Sequence, residues 1–185
     1  LSYLSVHLGI FGRSGFVPAE KIFRHFVRGS LINEGGDRQS AFGFSIDYVQ
    51  LTRDDSKAKL IWTYADEEDQ ILAQVHDVVM NFIYATMEQI KTPEDLIDYQ
   101  VAKIGDPDKF AIGVPDDTDT ALRLLTLVRL YRPAQYADVR PKLQNALEKW
   151  GPLNDRAERH LAYLEQPDPL PPLPDRSAWA APPTT

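Results

Sequence analysis

The sequence predicts an α+β protein with a small antiparallel sheet, a helical second half and a disordered, proline-rich tail. Three observations predict this class. Apolar and polar residues alternate within 3–11, 41–52 and 58–65, apolar residues recur at helical spacing over 66–165, and prolines crowd together from Gln166 onward. We expect the order strand, helix, hairpin, long helix and three or four further helices, with the first two helices covering one face of the sheet.

The first element is a strand, because residues 3–11 alternate between apolar and polar side chains. A helix should begin at Pro18, since the missing N–H of proline costs nothing in the first helical turn. One face of this helix is apolar, through Ile22, Phe23, Phe26 and Val27.

Two β-rich runs follow, at 41–52 and 58–65, on either side of a polar turn. This arrangement is typical of a hairpin. Four acids at 66–69 then occupy the position where a helix dipole favours negative charge. Apolar residues keep helical register from there to Ile90, which predicts one long helix.

The second half contains repeated helix start and stop signals. Thr92 precedes a Pro-Glu-Asp sequence typical of a capping box, and the acids at 116–119 should start another helix, which Pro133 ends. A last helix is expected at roughly 153–165. Between them, spacings of three and four residues predict a helical seam of buried residues, formed by Tyr136, Val139, Leu143, Ala146 and Trp150.

These elements suggest three regions: an α+β core at 1–105, a helical extension packed on it at 106–165, and a flexible tail at 166–185. The tail is rich in proline and in small or polar residues. Its burial could not offset the entropy lost on ordering, so we expect it to be extended or disordered.

Composition limits the function classes. The net charge of −7 over 185 residues argues against a general nucleic-acid binder. The absence of cysteine excludes disulfides and thiol chemistry and favours a cytoplasmic or other reducing compartment. We see neither a signal peptide nor a membrane-spanning run. The region 1–65 nevertheless carries a small basic excess and the remainder a large acidic one, a field that could orient self-association.

The most specific local pattern lies in the tail, at 170–176. Polyproline II places every third residue on one edge, so the two leucines should share a face beside two prolines, followed by a cation. Such segments bind the aromatic grooves of SH3-type and WW-type domains, although the tail could also fold back on its own domain or remain unused. The candidate partner-binding residues are Leu170, Pro171, Leu173, Pro174 and Arg176.

A glycine-rich turn at 9–15 joins the first strand to the first helix, where backbone amides can bind phosphate. It lacks the signatures of a P-loop or a dinucleotide-binding turn, and an ordinary connection between strand and helix is the simpler explanation. The candidate anion or phosphate contacts are Gly12, Arg13, Gly15, Lys21, Arg24 and Arg28.

No metal, cofactor or catalytic constellation is predicted. The acids at 116–119 lack the spacing of a calcium loop, and helix capping explains them more simply. The four histidines form no zinc-binding pattern, and no nucleophile elbow is present.

The sequence therefore favours a non-catalytic interaction or assembly protein, structural or scaffold in type, that self-associates or binds a protein partner. The first alternative is an enzyme with a dispersed acid–base site, using the 9–15 turn as phosphate contact and His7 as base. The second alternative is a nucleic-acid or acidic-membrane binder that uses the basic first helix.

Overall fold

The computed structural model describes residues 6–9, 17–27, 43–46, 73, 76, 79–107 and 113–175. A π-helical stretch at Val79–Tyr84 and a 3₁₀ turn at Pro133–Gln135 accompany the regular elements. The two strands are β1 (Val6–Gly9) and β2 (Gly43–Ile46). The α-helices are α1 (Val17–Val27), α2 (Ala85–Gln89), α3 (Pro93–Val101), α4 (Thr118–Tyr131), α5 (Tyr136–Lys142), α6 (Gln144–Leu147) and α7 (Asp155–Leu164).

Helix α4 is the centre of the described core. Leu122, Leu124 and Leu127 are all buried, although they point to different sides of one helix. A helix that is apolar nearly all round must be covered nearly all round. Accordingly, α1, α3, α5, α6 and α7 all pack against α4, and α1 also packs against α7.

The predicted α+β fold is wrong. The described part of the chain is mostly helical, and the predicted small sheet covered by helices is not present in it. β1 and β2 pair antiparallel over only a short stretch, from Val6 opposite Ile46 to Gly9 opposite Gly43. Local alternation could not reveal that the helices would bury α4 among themselves. The predicted hairpin over 41–65 lies, apart from β2, outside the described residues.

Several helix boundaries are confirmed, because local chemistry determines them. Thr92 and Asp95 form the capping box that begins α3, and Asp117 is the N-cap of α4. Pro133 follows the end of α4, and Phe23 and Phe26 on α1 are buried as expected. The predicted long helix is described only in part, where a π-helical stretch leads into α2.

The proline-rich segment is described over residues 166–175, where it forms neither helix nor strand. Leu170 and Leu173 are half-buried and pack against the helical core. Residues 176–185 lie outside the described part. Within the described ranges, no helix is long and apolar enough to cross a membrane.

Candidate interaction site

An open cleft lies between the start of α4, the turn after α6 and the start of α7. Its volume is about 780 Å³. The walls combine apolar and charged groups, among them Leu122, Trp150, Leu153, Asp119 and Arg156. The cleft places an aromatic side chain next to several carboxylates.

Trp150 is the most exposed large hydrophobic residue in the described ranges, with 79% of its surface open to solvent. The sequence placed it in a buried helical seam, and this expectation is wrong. Helix α6 ends at Leu147, so the helical register is lost before Trp150 is reached. Leu147 is buried instead, together with Val139 and Leu143.

The turn that carries Trp150 is tied to the start of α4 at two points. The Thr118 hydroxyl donates to the Leu147 carbonyl at 2.9 Å, and Lys149 Nζ donates to Asp116 Oδ2 at 2.6 Å. Lys149 Nζ also lies 5.3 Å from the centre of the Trp150 ring, a cation–π contact. The two hydrogen bonds hold the turn against the start of α4 and leave the indole exposed.

Gly151 allows the chain to turn immediately after the indole. Its φ of +105° lies in a region that residues with a Cβ rarely adopt, and its N–H donates to the Glu148 carbonyl at 3.0 Å. Pro152 and Leu153 then line the cleft before α7 begins. The Gly-Pro pair was the signal in the sequence that the helix could not continue past Trp150.

Two helices begin at this cleft, and their caps account for part of its polarity. Asp117 Oδ1 accepts from the Thr120 N–H at 2.8 Å, while Asn154 Oδ1 accepts from the Ala157 N–H at 3.0 Å. The prediction that helix capping explains the acids near 116–119 is confirmed for Asp117. No group of three or more metal-ligating side chains occurs among the described residues.

The second candidate surface is the segment at 166–175, which Arg129 holds against the helices. Arg129 is 7% exposed, and all three of its nitrogens donate. Nε reaches the Leu164 carbonyl at 2.9 Å, Nη2 the Gln166 carbonyl at 2.9 Å, and Nη1 the Asp168 carboxylate at 3.0 Å. No sequence pattern indicated this role, because the partners lie 35 to 39 positions away.

Tyrosines reinforce the same region. The Tyr163 hydroxyl donates to the Pro171 carbonyl at 2.8 Å. Burial raises the pKa of Tyr163, with nearby Arg129 acting in the opposite direction. Burial, followed by the charge of Glu165, raises the pKa of Tyr136 to about 12. Both phenols therefore remain protonated at neutral pH, so Tyr163 keeps the proton that it donates.

The predicted tail residues divide into two sets. Leu170 and Leu173 lie half-buried on the core, whereas Pro171 and Pro174 are exposed. Arg176 lies outside the described residues. Binding of a partner to this segment stays a prediction, but the two leucines are already in contact with their own chain.

The predicted anion contacts are not assembled in the described part. Lys21 is exposed and Arg24 half-buried on α1. Gly12, Arg13, Gly15 and Arg28 lie outside the described residues. His7 is in β1, opposite Ser45. The phosphate contact and the basic binding surface therefore remain predictions.

His160 is a buried polar residue that the sequence did not single out. Its ring is fully buried and stacks on Phe26, with centroids 4.9 Å apart. The Thr126 hydroxyl donates its proton to the Leu122 carbonyl at 2.7 Å, so it accepts from His160 Nε2–H at 3.0 Å. Nδ1 then has no hydrogen-bond partner among the described residues. Burial, with a smaller effect of His25, lowers the pKa of His160 to about 3.

Comparison of this chain with protein-family models, with curated proteins and with solved structures finds no match. The candidate sites are therefore defined by the geometry and chemistry of their residues.

Proposed function

We propose that this chain is a non-catalytic interaction or assembly protein, and that the face around Trp150 is a contact surface. One observation carries the proposal: an indole with 79% of its surface exposed is held on a tethered turn at the rim of an open cleft. Tryptophan combines a large apolar area with one N–H donor, and it is enriched among the residues that dominate binding energy at interfaces.

The positioning of Trp150 supports the same interpretation. Thr118 and Lys149 restrain the turn, and Gly151 fixes its direction. A binding group that is already oriented loses less conformational entropy when a partner arrives, which increases affinity.

Charge favours a second copy of the chain as the partner. Asp117, Asp119 and Asp155 line the cleft against a single Arg156, which gives it an acidic character. The region 1–65 carries the basic excess of the sequence, and Lys21 on α1 is exposed. We propose head-to-tail association in which a basic surface of one copy meets the cleft of the next.

Light scattering coupled to size-exclusion chromatography tests this function on the full chain over a range of concentrations. We expect an oligomer that dissociates in Trp150→Ala and weakens at high salt, since screening reduces attraction between exposed charges. The matched control is Tyr84→Ala, which removes another aromatic side chain that is 56% exposed but lies outside the cleft. A monomer under every condition, or equal dissociation of both variants, would contradict the proposal.

The predicted cellular compartment and the two alternative functions remain proposals. The absence of cysteine supports a cytoplasmic or other reducing compartment. The enzyme alternative depends on the 9–15 turn and the nucleic-acid or acidic-membrane alternative on the basic first helix, and no described contact favours either of them.

A further inference from the structure

Within the exposed segment at 166–175, two half-buried side chains lie three positions apart. Leu170 and Leu173 are half-buried, while Pro171, Pro172 and Pro174 are exposed. A repeat of three residues is the period of polyproline II, in which successive residues occupy three different edges. One edge is thus turned toward the core, and the prolines form the two outward edges.

The segment is attached at two separate points. Arg129 binds the Gln166 carbonyl and the Asp168 carboxylate near its start, and Tyr163 binds the Pro171 carbonyl. Arg129 is itself buried and hydrogen-bonded to the end of α7, so its guanidinium cannot easily move away. These attachments order a stretch that would be flexible on its own.

We infer that Pro171, Pro172 and Pro174 form a pre-ordered proline ridge, and that its partner is a protein domain with an aromatic-lined proline-binding groove of the SH3 or WW type. This inference specifies the partner class of the proposed interaction function. It does not depend on the Trp150 face, because the ridge is carried by different residues.

The chemistry of the ridge selects this partner class. Proline has no backbone N–H, so the three prolines within 171–174 cannot donate to a neighbouring strand. Recognition by strand addition is therefore disfavoured. Aromatic grooves instead bind the flat pyrrolidine rings and the pre-set backbone of proline-rich segments.

The edges of the segment that face the partner are those formed by the prolines, and the edge formed by the leucines faces the core. The sequence predicted that Leu170 and Leu173 contact the partner, but these leucines pack on their own core. In this arrangement they act as anchors, and the prolines beside them are presented outward. The anchoring should raise affinity, because the entropy of ordering the segment is lost during folding rather than during binding.

Binding of the full chain to purified SH3 and WW domains, measured by isothermal titration calorimetry, tests the inference. We expect the double variant Pro171→Ala/Pro174→Ala to bind at least about tenfold more weakly than the parent chain. Pro133→Ala, an exposed proline outside the segment, is the matched control and should bind normally. If no domain of either type binds, or if both variants bind equally, the inference is overturned.

Comparing a peptide with the full chain tests whether the core exposes the proline ridge to a partner or conceals it. A synthetic peptide of residues 165–178 should bind the same domain several-fold more weakly than the full chain, because the peptide lacks the anchors. Tyr163→Phe should shift the full chain toward the affinity of the peptide. A peptide that binds more tightly than the full chain would overturn the inference, since it would mean that the core conceals the segment.

The variant Trp150→Ala separates two activities: binding of an SH3 or WW domain by the proline ridge, and self-association through the face around Trp150. This variant should keep parental affinity for the SH3 or WW domain even though it disrupts association between copies. Loss of domain binding in Trp150→Ala would overturn the assignment of binding to the proline ridge.

Discussion

The two ends of α4 use the same kind of contact in different surroundings. At the first end, Lys149 pairs with Asp116 at 2.6 Å, and both side chains are more than one third exposed. At the other end, Arg129 pairs with Asp168 at 3.0 Å, but the arginine side chain is only 8% exposed. The shorter contact is on the surface, and the longer one is made by a buried group.

The difference shows that burial, rather than distance, determines the energetic importance of these pairs. Exposed ion pairs contribute on the order of 0–1 kcal/mol, because water already solvates both partners. Removing a buried donor leaves its acceptors without a partner away from water, which costs more. Arg129 also serves two backbone carbonyls, those of Leu164 and Gln166, whose partners would be lost with it.

The largest expected effect comes from Arg129→Met, which keeps much of the side-chain volume but removes every donor. We expect the free energy of unfolding to fall by about 3 kcal/mol, because hydrogen bonds to a charged group are lost in a mostly buried site. Chemical denaturation of the variant and of the parent chain measures this fall in the free energy of unfolding. The control is Arg132→Met, whose half-exposed ion pair with Asp98 spans 3.5 Å and should contribute little. Equal losses in the two variants would show that burial does not separate them.

Acidification should also lower the free energy of unfolding, through the buried His160 of α7. The pKa of His160 is about 3 in the folded protein and about 6.5 in the unfolded chain. Between these values the unfolded chain binds a proton that the folded protein does not. Stability is therefore complete above about pH 6.5 and decreases as the pH falls. The contribution of His160 to the free energy of unfolding should drop by about 2 kcal/mol from pH 7 to pH 5.

Denaturation at several pH values checks this contribution. The His160→Gln variant should lose the part of the pH dependence that arises between pH 7 and pH 5, whatever its stability at pH 7. His76→Gln is the control, since the side chain of His76 is exposed, and this variant should keep the slope of the parent chain. An unchanged slope in His160→Gln would rule out His160 as the source.

The smallest expected effect comes from removing the exposed ion pair between Lys149 and Asp116, near the start of α4. Lys149→Ala should lower the free energy of unfolding by no more than about 0.5 kcal/mol, because Asp116 stays hydrated when its partner is removed. Thermal unfolding of the variant and of Lys142→Ala, another exposed lysine, measures the difference. A loss comparable to that of Arg129→Met would contradict the dependence on burial.

The sequence predicted best what neighbouring residues determine. Thr92 and Asp95 satisfy each other's backbone groups three positions apart, so the start of α3 could be recognised without tertiary information. The same holds for Asp117 and Thr120 at the start of α4. The buried side of α1 followed from helical spacing alone.

The sequence failed where distant residues decide the outcome. The α+β class was inferred from alternation within 3–11, 41–52 and 58–65, whereas the described core forms around α4. Trp150 was assigned to the core because its spacing continued a helical seam past Leu147, where the helix in fact ends. Leu170 was placed in an extended or disordered tail, and nothing near it in sequence reveals Arg129 and Tyr163 as anchors.

The contact between α1 and α7 has a consequence for synthesis of the chain. Phe26 stacks on His160, so the first helix meets this partner only after nearly the whole described chain has left the ribosome. At translation rates of about 5–20 residues per second, the delay is on the order of ten seconds. Until then the face formed by Ile22, Phe23 and Phe26 lacks the cover that α7 later provides, so the nascent chain exposes apolar surface during this interval.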